Sequence, residues 1–374
     1  MKSSSRLLSC TVLVWMTLVL ASHADEKERV APSLERSLVV SGQGYFPVAL
    51  RLQDGRIAVV LRGGAQHVGI KGRLDMVFSS DEGKTWTKPT LVVDTPADDR
   101  NPAFGQAKDG SLVVAYWRLT RFDDQGRYNP KLDKPVSTWV TRSQDDGKTW
   151  GESRPIDVSD IGWGSPFGKM LTLADGTMLL AIYGGPVRAS GEKVPDTLED
   201  KDNHSYLYRS TDNGKTWKRY ATIAHRFNET ALVRLASGKL LAAMRAEQEG
   251  GGLWLTESPD DGKSWSKPRK LTPAQVHPAD LLLLPDQRVL LVTGYRVPPA
   301  KGVRGLLGDR EGHFDWQQRF NLVDDATDSD CGYPSSVLLP AGRVLTVYYA
   351  VGSKKNPTWG THCGAVIYRV PAKP

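Results

Sequence analysis

Two stretches of the chain place a carboxylate, a guanidinium and a phenol at matching points. "NETALVRLASGKLLAAMR" carries Glu229 just ahead of an apolar run that ends in Arg245, and "YPSSVLLPAGRVLTVYY" opens on Tyr333. A tyrosine with its ordinary pKa near 10 is a weak nucleophile until a neighbouring carboxylate accepts its proton. An arginine presents a planar fork that suits planar anions. A loop further upstream, "RGGAQHVGIKGRLD", adds two groups able to move a proton, His67 and Asp75. None of this is chemistry unless the fold gathers residues that lie far apart in the chain.

The elements that would gather them form a repeat. "SSDEGKTW", "SQDDGKTW", "STDNGKTW" and "SPDDGKSW" share the pattern S-x-D-x-G-x-[ST]-W, and "GDREGHFDW" is a degenerate fifth copy. Each reads as a turn: the Asp caps its own backbone, the Gly accepts positive φ, and the Trp buries the turn. These boxes are expected to be surface fold devices, away from the chemistry. Between them run six strand–turn–strand units with turns near Gly55, Gly110, Gly176, Gly238, Gln287 and Gly342. Apolar runs flanking a tight turn are β-hairpins. Their spacing of roughly 50 to 65 residues leaves room for four short strands per unit, which predicts an all-β, six-bladed β-propeller with Asp-box turns. It would occupy residues 25–374 as one domain, with "THCGAVIYRV" supplying a closing strand.

In a propeller the innermost strands run along the axis, so equivalent positions surround one mouth. Counted back from each turn, the first such ring holds Phe46, Asn101, Phe167, Glu229, Pro278 and Tyr333. Counted forward, the second holds Arg62, Tyr183, Arg245 and Tyr349, with Trp117 or Arg118 and Arg296 a place or two along. A water-filled channel lined by polar residues is the blander account of the same rings.

Composition narrows the class. With 40% apolar residues, 36 Gly and 23 Pro, the chain reads as globular and turn-rich. Residues 1–24 stand apart: Lys2 and Arg6 precede the apolar run Leu7 to Leu20, and Ser22-His23-Ala24 offers a cleavage site. That is the pattern of a secretory signal peptide, too short for a good transmembrane helix, so a secreted or periplasmic protein without membrane insertion is expected. Removing Lys2 and Arg6 takes the formal charge from +7 to 7 − 2 = +5, spread without a polybasic block. Nucleic acid is therefore not the expected partner, whereas an acidic carbohydrate suits the mild excess. Cys331 and Cys363 are the cysteines left after cleavage and could pair in an oxidising compartment. No ligand cluster with metal spacing is visible.

Asp boxes on six hairpins, with Glu229, Arg245 and Tyr333 at these points, resemble the sialidase (neuraminidase) superfamily over essentially the whole mature chain. The resemblance implies an exo-acting, retaining glycoside hydrolase, without cofactor or metal, that releases a terminal α-linked sialic acid or related acidic sugar; a monomer is expected. Tyr333 would be the nucleophile and Glu229 its base, the exception to the two-carboxylate rule of glycosidases. Arg245 would be one member of an arginine triad for the sugar carboxylate, with Arg304 or Arg296 another. The chain departs from the family at "YFPVAL", where Phe46 stands in place of the first arginine; Arg62 is the expected substitute. The general acid, an Asp of the first blade in the family, would be Asp75, with His67 the alternative. Two other readings compete: a lyase using Tyr333 and His67 on uronate glycans, and a carbohydrate-binding propeller without catalysis.

Overall fold

The computed structural model describes residues 29–132, 134, 136–189, 202–246 and 250–371, so the expected signal peptide lies outside the described residues. The fold is all-β and propeller-like. Its repeating unit is an antiparallel meander such as Tyr45–Arg51, Ile57–Gly63, Arg73–Ser79 and Thr90–Val93, paired in chain order. All six expected turns are present, with positive φ at Gly55, Gly110, Gly176, Gly238, Gln287 and Gly342.

Hydrogen bonding draws five sheets among the described residues rather than six separate ones. Two meanders, from Asp98–Gln106 to Arg154–Ile156 and from Gly164–Thr172 to Lys218–His225, merge into one eight-stranded sheet. The join is a short parallel pairing of Gly168 with Ala103 and Lys169 with Phe104. It forms because neighbouring inner strands converge on the axis, close enough there for their backbones to bond.

The last sheet contains the strand expected from "THCGAVIYRV". Thr361–Arg369 lies inside it, between Arg343–Val351 and Glu35–Ser41, so the early strand Glu35–Ser41 supplies the outer position. Strands from opposite ends of the described chain, Glu35–Ser41 and Thr361–Arg369, are thereby paired in one sheet.

The Asp boxes behave as the sequence predicts. In the first, Asp81 accepts from the Thr85 amide at 2.9 Å and from the Ser79 hydroxyl at 2.8 Å, and the Gly83 amide donates to Ser79 Oγ at 2.8 Å. The same bonds recur around Asp145, Asp212 and Asp260. Each box glycine abuts the preceding meander: Gly147 meets Phe78, Gly214 meets Val113 and Gly262 meets Leu207, while Gly83 meets Leu345 of the last sheet. A Cβ there would collide, so the boxes fasten successive sheets side by side. Cys331 and Cys363 are buried free thiols and form no disulfide.

Candidate active site

Inner strands place the site residues by a shared irregularity. Their pairing slips between Tyr45 and Val48, Arg100 and Ala103, Val276 and Ala279, and Gly332 and Ser335. At three of these bulges a non-glycine residue takes positive φ just before a proline: Phe46 (53°), Asn101 (49°) and Tyr333 (49°). That conformation is costly for such residues, and a bulge re-aims the side chain it carries. Here the bulged residues face a common cleft.

Glu229 reaches the same cleft by a tighter route. It and Arg245 close the first pair of their hairpin, with the Arg245 amide donating to the Glu229 carbonyl at 3.0 Å. Their side chains then meet, Arg245 Nη1 donating to Glu229 Oε2 at 2.8 Å. The other carboxylate oxygen accepts a short hydrogen bond from the Tyr333 hydroxyl. The result is a continuous chain of phenol, carboxylate and guanidinium at the floor of the cleft. Tyr333 and Glu229 are both buried, at 8% and 4% exposure. Burial first, then the Glu229 charge, push the Tyr333 phenol well above its ordinary range, against the pull of Arg245 and Arg296. The phenol is thus neutral at rest, with its proton already directed at a base.

Arg296 stands over the Tyr333 ring, its Cζ 5.7 Å from the centroid. Its Nε donates to the Cys331 carbonyl at 3.2 Å, while its buried Nη2 has no partner among the described residues. A buried donor without a partner is costly, and an anion from solution would satisfy it. His277 faces the Arg245 and Arg296 charges. Burial, then these two cations, depress its pKa to about 2, so it is neutral and leaves the positive field to the arginines. His67 lines the cleft as well, with Nδ1 2.9 Å from Asp330 Oδ1.

Three expected site residues lie elsewhere. Arg62 is fully buried and bound to Asp98, Nε at 2.8 Å and Nη2 at 2.6 Å; it also donates to the carbonyls of Ala65, Gln66 and Gly69. It braces the loop that bears His67 and touches no ligand space. Arg304 sits on the third strand of its meander, Gly302–Gly308, one strand removed from the inner hairpin. It is buried under Tyr295 and donates to the carbonyls of Ala300, Val303 and Val323. Asp75 is also on a third strand, 2% exposed, paired with Arg73 at 3.0 Å and accepting from Gln43 at 3.3 Å. For Arg304 and Asp75 the added strand width carries the side chain away from the mouth, whereas Arg62, on the second strand, is drawn off by Asp98.

Sequence reasoning missed Arg100. It lines the cleft beside Tyr333 and Glu229, 6% exposed, with its Cζ 5.5 Å from the Phe46 ring and 5.8 Å from that of Trp117. Its carboxylate contact, Asp98 Oδ2 at 3.5 Å, belongs to a residue already bound by Arg62. The signal was the "RNP" triplet: the ring position was assigned to Asn101, and the bulge brings the residue before it into the mouth as well. Beyond Arg100 the wall is aromatic, Trp117 packing on Trp163 at 5.7 Å and Trp163 on Tyr183 at 5.8 Å. Among the described residues no group of three or more His, Cys, Asp or Glu side chains could hold a metal ion, and no helix is long and apolar enough to cross a membrane.

Comparisons with known proteins agree with this architecture. A family model described as a BNR repeat-like domain matches residues 97–346. A sialidase from Bacteroides fragilis (strain YCH46) is 28% identical over 231 residues, 54% of this chain and 39% of that protein, so the chain spans about two fifths of that relative. Among solved structures, a protein of unknown function from Dyadobacter fermentans DSM 18053 superposes with a TM-score of 0.76 at 26% identity, covering 91% of this chain and 100% of the other. The NanB sialidase from Streptococcus pneumoniae follows at 0.67 and 15% identity, with 89% and 70% covered, a likeness of fold alone. The chain belongs to the sialidase and BNR-repeat superfamily.

Proposed function

We propose that the protein is an exo-acting, retaining glycoside hydrolase of sialidase type, which releases a terminal α-linked sialic acid or related acidic sugar. The observation that carries this reading is the hydrogen-bonded chain Tyr333–Glu229–Arg245, with Arg296 over the phenol. Glu229 accepts the phenolic proton as the Tyr333 oxygen attacks the anomeric carbon, and a tyrosyl-sugar intermediate forms. A neutral phenol approaches a carbon that bears a carboxylate without the repulsion an aspartate would meet. Arg245 and Arg296 hold the sugar carboxylate, the latter through its unpartnered Nη2. A non-catalytic binder has no use for a base bonded to a buried phenol.

The same reading takes the ring as six blades, the eight-stranded sheet counted as two, because the box glycines link the meanders in sequence and Gly83 closes onto the last one. The expected leader peptide makes the mature enzyme secreted or periplasmic, acting on glycans as a monomer. Incubation with an aryl α-sialoside and, separately, with uronate polysaccharides tests the proposal. Release of aglycone that is lost in Tyr333→Phe supports it. An unsaturated uronate product would replace it with a lyase, and binding without turnover would leave a carbohydrate-binding propeller.

A further inference from the structure

The site described so far has a nucleophile, a base and an anion clamp, but nothing to protonate the leaving oxygen. Asp75 is buried against Arg73 and outside the cleft. We infer that His67 protonates the departing aglycone and that Asp330 is the positioning residue that holds it in place, an inference resting on Tyr333 acting as the nucleophile.

Geometry supports this pair from several sides. His67 lines the cleft that contains Tyr333 and Glu229, and 41% of its side chain is exposed there. Its ring meets the edge of Phe46 at 5.0 Å, and Phe46 in turn meets Tyr333 at 4.9 Å, so one benzyl ring separates the acid from the nucleophile. Asp330 takes a hydrogen bond from Tyr349 as well as from His67. Burial alone would raise the Asp330 pKa; the His67 and Tyr349 hydrogen bonds and the His67 and Arg296 charges hold it below the usual range. An ionised Asp330 can only accept, so His67 Nδ1 carries a hydrogen and Nε2 is left for the substrate.

The groups facing His67 are few. Asp330 comes from the bend just before Cys331–Leu338, Tyr349 from the strand Arg343–Val351 and Tyr45 from the strand Tyr45–Arg51. Arg62 lies beneath the loop, neutralised by Asp98, and Arg100 stands across the cleft. Phe46 now has a physical reason. A guanidinium at that position would bring a positive charge against the imidazole, whereas a phenyl edge carries none.

Both half-reactions balance. In the first, the Tyr333 oxygen bonds to the anomeric carbon, the bond from that carbon to the aglycone oxygen breaks, and His67 Nε2 gives that oxygen its proton while Glu229 takes the phenolic one. In the second, His67 takes a proton from water as the water oxygen attacks. The bond to Tyr333 then breaks, and Glu229 returns the proton to the phenol.

The test is leaving-group dependence in kcat/KM, which reports the first half-reaction. A 4-nitrophenyl α-sialoside leaves without help; sialyllactose does not. Wild type, His67→Ala, His67→Gln, Asp330→Asn and Tyr349→Phe are compared on both, with Tm as the check on folding. His67→Ala and His67→Gln are expected to stay within about tenfold of wild type on the nitrophenyl substrate and to fall about 10²- to 10⁴-fold on sialyllactose. Asp330→Asn should show the same asymmetry at smaller size, and Tyr349→Phe, which removes one of the two side-chain hydrogen bonds that hold Asp330, a weaker one still. Equal losses on both substrates, or none, overturn the assignment while Tyr333-dependent turnover keeps the hydrolase reading. If wild type turns over neither substrate, the hydrolase reading fails and the acid assignment falls with it.

Discussion

The Tyr333 hydroxyl and the Glu229 carboxylate are joined by a direct hydrogen bond although 104 residues separate them in the chain. Two features make the contact: the bulge that turns Tyr333 off its inner strand, and the Arg245 fork that pins the far oxygen of Glu229. Because the phenol is buried and neutral, nucleophilic attack depends on Glu229 taking its proton. Tyr333→Phe should therefore abolish aglycone release, and Glu229→Gln should lower kcat by about 10²- to 10⁴-fold, the range of a lost general base. Both variants keep the shape of the site, so their KM for an aryl sialoside should change little. Stopped-flow release of aglycone by wild type should show a burst if the tyrosyl-sugar accumulates, and neither variant should show one.

Arg245 and Arg296 both face Tyr333, but their losses should differ in kind. Arg296→Met removes an unpartnered donor over the phenol and should raise KM by tenfold or more, on the order of 1.4 kcal/mol, with little change in Tm. Arg245→Met also strips Glu229 of its ion pair in a buried setting. It should cost on the order of 3 kcal/mol of stability as well as activity. Thermal unfolding beside steady-state kinetics separates the two.

A second contrast sets Arg62 against Arg100. Arg62 and Asp98 are both fully buried, so Arg62→Met leaves a buried carboxylate with only the longer 3.5 Å contact to Arg100 and should cost about 3 kcal/mol. It should also release the loop of Ala65, Gln66 and Gly69, whose carbonyls Arg62 holds. Arg100→Met leaves that pair intact. It is expected to raise KM for acidic substrates while Tm stays within a few degrees, since Arg100 lines ligand space and shares a carboxylate already bound by Arg62. A drop in Tm for Arg100→Met as large as that for Arg62→Met would return Arg100 to a structural role.

How far the sequence could be read follows from these residues. Glu229, Arg245 and Tyr333 were legible because they stand at equivalent points of hairpins whose turns are marked by glycine, and equivalence in a ring is proximity in space. The boxes were legible because an Asx turn needs particular residues at particular offsets. Arg304 and Arg62 were misplaced for physical reasons. Arg304 is on a third strand, beyond reach of the axis. Arg62 is at the expected end of its strand, but Asp98, contributed by the next meander, takes its guanidinium out of the cleft. Arg100 was missed because a bulge shifts the register by one, and its trace in the sequence is the "RNP" triplet rather than the apolar pattern. The choice between Asp75 and His67 turned on partners 2 and 263 residues away, Arg73 and Asp330, of which only the nearer could be guessed.

His277 provides a pH test of the charge arrangement. Its folded pKa is depressed to about 2 from an ordinary 6.5, by burial first and then by the Arg245 and Arg296 charges. The unfolded chain therefore binds a proton that the folded protein rejects. The stabilising effect is fully present above pH 6.5 and drains away as pH falls from there towards the folded value. For one proton the slope approaches about 1.4 kcal/mol per pH unit. His277→Gln is neutral at every pH and lacks this slope. Between pH 6 and pH 4 the wild type should thus lose about 1 kcal/mol per unit more than the variant, read from urea unfolding at each pH. Parallel curves would mean that His277 is protonated between the two arginines after all, and that the positive field at the cleft floor is balanced by groups other than those named here.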